Sequence, residues 1–130
     1  MTTEETLKSF LTIIEGTVPA DFATGDQVRE YIVRLTSMMA YANEARANAN
    51  RTYNVAKAKA YIKLENEILG KHPKFSPSLA KDYVAALCSK ECYAFDLAER
   101  TAATCTNVAD YMRSVLSSLK AEQQFANFGQ

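Results

Sequence analysis

Polar side chains that suit anion binding are concentrated in two short segments, 43–54 and 100–107. The first holds four asparagines, although asparagine is a poor residue for the interior of a helix. It also holds two arginines, and a third begins the second segment; guanidinium groups suit phosphate and carboxylate. This pattern predicts a polar pocket for a small anionic or nucleotide-like ligand, lined by Asn43, Arg46, Asn50, Arg51, Asn54, Arg100, Thr104 and Asn107.

The competing interpretation of the same residues is structural. They would then form a solvated helix face, or would make hydrogen bonds between helices that fix the register of an alanine-rich seam. Sequence alone leaves both interpretations open.

Acidic residues and the single histidine occur in patterns that do not favour catalysis. No glutamate has a histidine three residues further on, the spacing of carboxylate metal sites in helical bundles. Glu65 and Glu67 are two apart, so they point to different helix faces. His72 lies in a loop beside Pro73, and the chain has neither a glycine-rich phosphate loop nor a nucleophile elbow. We expect no cofactor and no enzymatic activity.

The three cysteines, Cys88, Cys92 and Cys105, all lie in one predicted helix. Cys105 is roughly 20 Å from the other two along the helix axis, so one helix cannot bring all three to one metal ion. We interpret them as small apolar packing residues in a reducing compartment, with an intermolecular disulfide or a reactive thiol as alternatives. No metal site is expected.

Charge and hydropathy set the expected location. The chain has 130 residues with 15 basic and 15 acidic side chains, so long-range attraction to nucleic acid or to an anionic membrane is not built in. The N-terminus lacks the basic-then-apolar order of a signal peptide, and no apolar run is long enough to cross a bilayer. We therefore expect a cytoplasmic protein without membrane association.

Periodicity predicts an all-α single domain over 1–130, with helices over 3–14, 25–69 and 77–125. Thr24 and Gln27 fit a capping box, and Ser76 before Pro77 fits a helix start. The long helices are expected to form an antiparallel hairpin with its bend near Pro73. Their predicted seam residues are Val28, Ile32, Leu35, Met39, Ala42, Ala45, Ala49, Tyr53, Ala56 and Ala60 in one helix and Val84, Leu87, Ala94, Ala98, Thr101, Cys105, Val108, Met112, Val115 and Leu119 in the other.

Two long helices and one short helix enclose little interior, so the hairpin is expected to pair into a larger bundle. Tyrosine and methionine are enriched at protein interfaces, where an apolar body is covered while a polar tip stays wet. We expect a homo-oligomer, a dimer or larger, and a protein partner. The predicted interface residues are Tyr31, Met38, Tyr41, Tyr61, Tyr83 and Tyr111.

The segment from Ala98 to Glu122, with its closing Arg-Ser…Leu-Ser…Leu-Lys pattern, resembles the C-terminal helix of small all-helical accessory proteins of phages and prophages. The alanine- and asparagine-rich stretch from Met39 to Tyr61 is similar to their first long helix. The resemblance implies a viral protein in the host cytoplasm that modulates host defence or phage DNA processing by binding another protein. It implies no catalytic residue. The anion-binding pocket remains one alternative, and binding of single-stranded nucleic acid is a less favoured one.

Overall fold

The chain is all-α, as predicted. A computed structural model describes residues 1–69 and 76–128 and contains no strand among them. Helix α1 spans Thr3–Glu15 and is followed by a short 3₁₀ turn, Pro19–Asp21. Helix α2 spans Gly25–Leu64 and continues into a π-helical turn, Glu65–Leu69. Helices α3, Pro77–Leu87, and α4, Ser89–Phe128, complete the described chain. The predicted bend near Pro73, and His72 with it, lie outside the described residues.

Side-chain caps explain where the helices begin. The Gln27 N–H donates to Thr24 Oγ1 at 3.3 Å, and Gln27 Oε1 accepts from the Thr24 N–H at 3.3 Å, so the predicted capping box at the start of α2 is present. The Leu79 N–H donates to Ser76 Oγ at 3.1 Å, which fixes the start of α3. Both caps satisfy backbone donors that a helix start leaves unpaired.

Contacts divide the chain into two units. The terminal unit consists of Met1–Asn43 with Glu99–Gln130, described to residue 128, and the central unit is Glu44–Ala98. Helices α2 and α4 each contribute to both units. The single domain expected over 1–130 stays a prediction.

The terminal unit is built from α1, the first half of α2 and most of α4. Its core includes Val28 and Leu35 of α2 with Cys105 and Met112 of α4. The two helices run antiparallel there, since Thr106 Oγ1 donates to Met39 Sδ at 3.0 Å while Leu116 lies beside Gly25. Helix α1 adds a third layer through Leu7 and Ile14, which are buried, and through Phe10, whose ring meets Tyr41 edge-on at 5.5 Å.

The central unit has a smaller core. Ala60 and Leu64 of α2 are buried with Val84 and Cys88, and the rings of Tyr53 and Phe95 lie 6.4 Å apart. These pairs again show antiparallel packing. Among the described residues of this unit, α2 packs against α3 and the first turns of α4, and no further helix is present.

The segment predicted as one helix over 77–125 is interrupted at Cys88, where φ is −105° and ψ is 14°. Cys88 is buried, whereas Leu87 is 44% exposed and Ala94 is exposed, although both were predicted in the seam. The apolar stripe shifts around the helix at this point because Glu91, a polar residue, occupies what would be its next inward position. The stripe therefore cannot continue through Glu91 unbroken.

Candidate functional site

The residues predicted to bind an anion lie mainly on the outside of the helices. Seven of the eight are exposed, and Thr104 is half-buried. Thr104 Oγ1 donates to the backbone carbonyl of Arg100 at 2.8 Å, a bond within the helix. The structure therefore gives these side chains the placement of a solvated helix face, while their role in binding stays a prediction.

The two predicted arginines of the central unit point to different surroundings. Arg46 lies over the ring of Phe95, 5.9 Å from its centroid, a distance that permits a cation–π interaction. Arg51 lines a shallow surface depression together with Asn48, Thr52 and Val55. Five residues of α-helix separate the arginines by roughly 140° around the axis, so α2 does not bring them to one anion.

The predicted interface residues divide into buried and exposed groups. Tyr31 and Met38 are only 6% and 7% exposed and belong to the core of the terminal unit, so they are not available to a partner. The physical reason is the seam of α2, which follows the positions of Val28, Tyr31, Leu35, Met38 and Ala42. The sequence prediction placed Ile32 and Met39 in the seam in place of Tyr31 and Met38, although the same spacing of three and four was present there. Ile32 and Met39 are half-buried beside the core.

The other four predicted interface residues are more accessible. Tyr41, Tyr61 and Tyr111 are exposed, although Tyr41 also packs against Phe10. Tyr83 is half-buried against the core of the central unit. Tyr61 and Tyr111 are therefore the predicted residues that keep the most surface for a partner.

A second stripe, which the sequence interpretation missed, runs along α2 and ends at the first residue of the π-helical turn. Arg51, Val55, Ala58, Ile62 and Glu65 follow one another at alternating spacings of four and three and are all exposed. We call these five residues the α2 outer face. Val55 is 49% exposed and Ile62 is 58% exposed, and both point away from the buried side of the helix. A cation stands at one end of this apolar stretch and an anion at the other.

The central unit also gathers two thiols and a phenol. Cys92 Sγ donates to Asp96 Oδ2 at 3.7 Å, and Lys57 Nζ lies 4.8 Å from the centroid of the Tyr53 ring. A hydrogen bond with Cys92, followed by burial, raises the pKa of Tyr53. Burial, reinforced by the nearby Glu91 carboxylate, raises the pKa of the Cys88 thiol. An activated nucleophile needs a lowered pKa, so this shift does not favour a reactive thiol at Cys88, which is buried in the core of the central unit.

Cys105 is fully buried in the terminal unit, where burial raises the pKa of its thiol as well. In residues 1–69 and 76–128, no three side chains of histidine, cysteine, aspartate or glutamate converge on a point where a metal ion could sit. None of the helices in the described part of the chain combines the length and apolar composition needed to cross a bilayer.

No protein-family model matches the chain, and no curated protein or solved structure matches it either.

Proposed function

We propose that the chain is a non-enzymatic interaction protein that associates with a second copy of itself through the α2 outer face. The observation that carries the proposal is the exposed stripe of Val55, Ala58 and Ile62, bounded by Arg51 and Glu65. The central unit has no covering helix among its described residues, whereas α1 covers the helix pair of the terminal unit. Helix pairs of this kind complete their packing by pairing into bundles.

The stripe is complementary to itself when two copies of α2 pack antiparallel about a two-fold axis at Ala58. Residues equidistant from Ala58 then meet across the interface. Arg51 and Glu65 each lie seven residues from it, so Arg51 meets Glu65 of the partner subunit, and this ion pair occurs twice. Val55 meets Ile62 of the partner subunit within one residue of register, and the small Ala58 side chain lets the axes approach closely.

The exposed area predicts weak association. Burying the exposed halves of Val55 and Ile62 contributes about 1 kcal/mol per side chain, or about 4 kcal/mol over both copies. Two exposed ion pairs add roughly 0.2–1 kcal/mol each. Association costs at least about 4 kcal/mol in lost rigid-body freedom. These terms leave a net gain of at most about 2 kcal/mol, so we expect a transient dimer with a dissociation constant of tens of millimolar or weaker.

The proposal includes the phage-type accessory setting, which rests on the resemblance of the C-terminal helix. In that setting the self-associating chain binds a protein of host defence or of phage DNA processing, and the exposed Tyr61 and Tyr111 offer further contact surface.

Charge reversal tests the dimer. Sedimentation equilibrium over a concentration series should show several-fold weaker association for Arg51→Glu and for Glu65→Arg, because each variant places like charges together. The double variant restores the opposite charges in reversed order and should recover the association of the original chain. Lys63→Glu is the control, since Lys63 is exposed but lies about 100° around the helix from Ile62.

Two results would contradict the proposal. One is a chain whose apparent mass shows no concentration-dependent increase up to the highest concentration that it can reach in solution. The other is a double variant that associates no better than the single variants, which would mean that Arg51 and Glu65 do not meet.

A further inference from the structure

Charge is divided unevenly between the two units, although the chain as a whole is neutral. The terminal unit has six lysines and arginines against nine aspartates and glutamates, whereas the central unit has nine against six. Within the central unit, residues 45–64 of α2 include five lysines and arginines and no carboxylate. This half of α2 therefore attracts anions, even though the whole chain carries no net charge.

Two of the five cations, Lys59 and Lys63, are not neutralised by the part of the chain that the structure describes. Both are exposed, and neither ammonium group forms an ion pair within residues 1–69 and 76–128. Lys57 and Arg46, by contrast, lie over aromatic rings of the central unit. Because Lys59 and Lys63 are four residues apart, they are neighbours on the helix surface and repel each other. A bound anion removes this repulsion.

The proposed dimer places the two lysines of both copies on the same side. Lys59 and Lys63 lie about 80° and 120° around α2 from the centre of the α2 outer face, in the same rotational sense. The two-fold axis of an antiparallel helix pair is perpendicular to the plane of the two helices, and rotation about it leaves the direction along it unchanged. The side of α2 that faces this direction in one copy therefore faces it in both. We call the surface formed by Lys59 and Lys63 of both copies the lysine face.

The chemistry around the lysine face favours duplex nucleic acid over other polyanions. Asn48 is exposed on the same side of α2, and asparagine and lysine side chains commonly donate to phosphate and sugar oxygens. Single strands need aromatic rings on which bases stack, but Tyr61 lies about 160° around the helix from Lys59 and Tyr53 is half-buried. An anionic membrane is a poorer fit, since it needs an apolar face beside the lysines and the dimer covers the apolar residues of the α2 outer face.

We propose that the lysine face binds the phosphate backbone of double-stranded DNA. The inference rests on the proposed dimer, because one copy supplies only two of the four ammonium groups. Lys63 is five residues from Ala58, so the four groups span about 15 Å along the helix axes. A duplex presents about nine phosphates over that length, enough for each ammonium group to meet one.

DNA that binds two paired copies better than one copy must strengthen their pairing by the same factor. The duplex therefore acts as a template for a dimer that is weak by itself. Contacts with phosphates carry no sequence information, so binding is expected to be independent of base sequence.

Fluorescence anisotropy of a labelled duplex of about 12 base pairs, titrated with the protein at about 20 mM salt, tests the proposal, because phosphate contacts are strongest at low salt. We expect sigmoidal binding with a Hill coefficient of about 2, for two copies on one duplex. Lys59→Gln and Lys63→Gln should each weaken binding several-fold and reduce the slope of log K against log salt by about one per copy. Lys120→Gln is the control, as an exposed lysine on α4 in the terminal unit.

Three results would overturn the proposal, and each identifies the step that fails. If Lys59→Gln and Lys63→Gln bind the duplex as tightly as Lys120→Gln does, the lysine face is wrong, whatever sedimentation of the DNA-free chain shows about the dimer. Binding that both variants weaken but that has no cooperativity would mean that one copy binds alone, which contradicts the paired face. A single strand of the same length that binds more tightly, or a polyglutamate peptide that competes equally per charge, would overturn the choice of duplex DNA.

Discussion

Replacing Tyr31 by phenylalanine should stabilise the protein. The ring would keep its contacts with Phe22 and with the core of the terminal unit, and only the hydroxyl group would be lost. An unpaired buried hydroxyl costs roughly 1–3 kcal/mol. At the low end of this range, the substitution should add about 1 kcal/mol to the free energy of unfolding and raise Tm by roughly 3–5 °C for a chain of this length.

Urea unfolding followed by circular dichroism measures this change, with both proteins at the same concentration so that association does not differ. Tyr111→Phe is the matched control, because Tyr111 is 54% exposed and its hydroxyl can bond to water. We expect that control to change the unfolding free energy by less than about 0.5 kcal/mol. A Tyr31→Phe variant that is less stable than the original chain would refute the reasoning, since it would mean that the hydroxyl has a partner.

Three further changes follow from burial and capping. Leu35→Ala should lower the free energy of unfolding by about 2–5 kcal/mol because Leu35 is fully buried. Ile62→Ala should change it by about 0.5 kcal/mol or less, because Ile62 is exposed. Equal losses of the two variants in urea unfolding would contradict the assigned core. Thr24→Ala should cost about 1 kcal/mol by removing the α2 cap, against little loss for Thr36→Ala in mid-helix, and thermal unfolding distinguishes the two. Burial raises the pKa of the Cys88 and Cys105 thiols above the ordinary value of 9.0, so these thiols ionise at lower pH in the unfolded chain than in the folded one. The free energy of unfolding should therefore fall as the pH rises above 9.0. Urea midpoints that do not change between neutral pH and a pH above 9.0 would argue against buried thiols.

Caps and periodicity account for what could be predicted of the fold. Thr24 with Gln27, and Ser76 with Pro77, are local signals, because a cap needs only residues within one turn. The apolar spacing also predicted that Val28, Leu35 and Ala42 are buried. The interruption at Cys88 was not predicted, since it depends on which side chains the partner helix can accept around Glu91.

The functional surfaces were harder to predict for a related reason. Consecutive residues of a helix, such as Tyr31 and Ile32, lie about 100° apart around its axis. A modest error in the assumed direction of the buried face therefore exchanges one of them for the other. Sequence favoured Ile32 as the inward residue and Tyr31 as an interface residue, whereas packing reversed them. The α2 outer face was visible as a spacing of four and three, but only burial shows that it is the exposed stripe.

The sequence by itself determined that this chain is helical, where α1, α2 and α3 begin and which broad stripes are apolar, because these properties depend on residues within a few turns of each other. The tertiary structure alone decided that the asparagine- and arginine-rich segment is largely exposed, that Cys88 is buried in place of Leu87, and that Tyr31 is buried with a hydroxyl group that has no partner among the described residues. These outcomes depend on how side chains far apart in the chain share one interior, and spacing along a single helix does not contain that information.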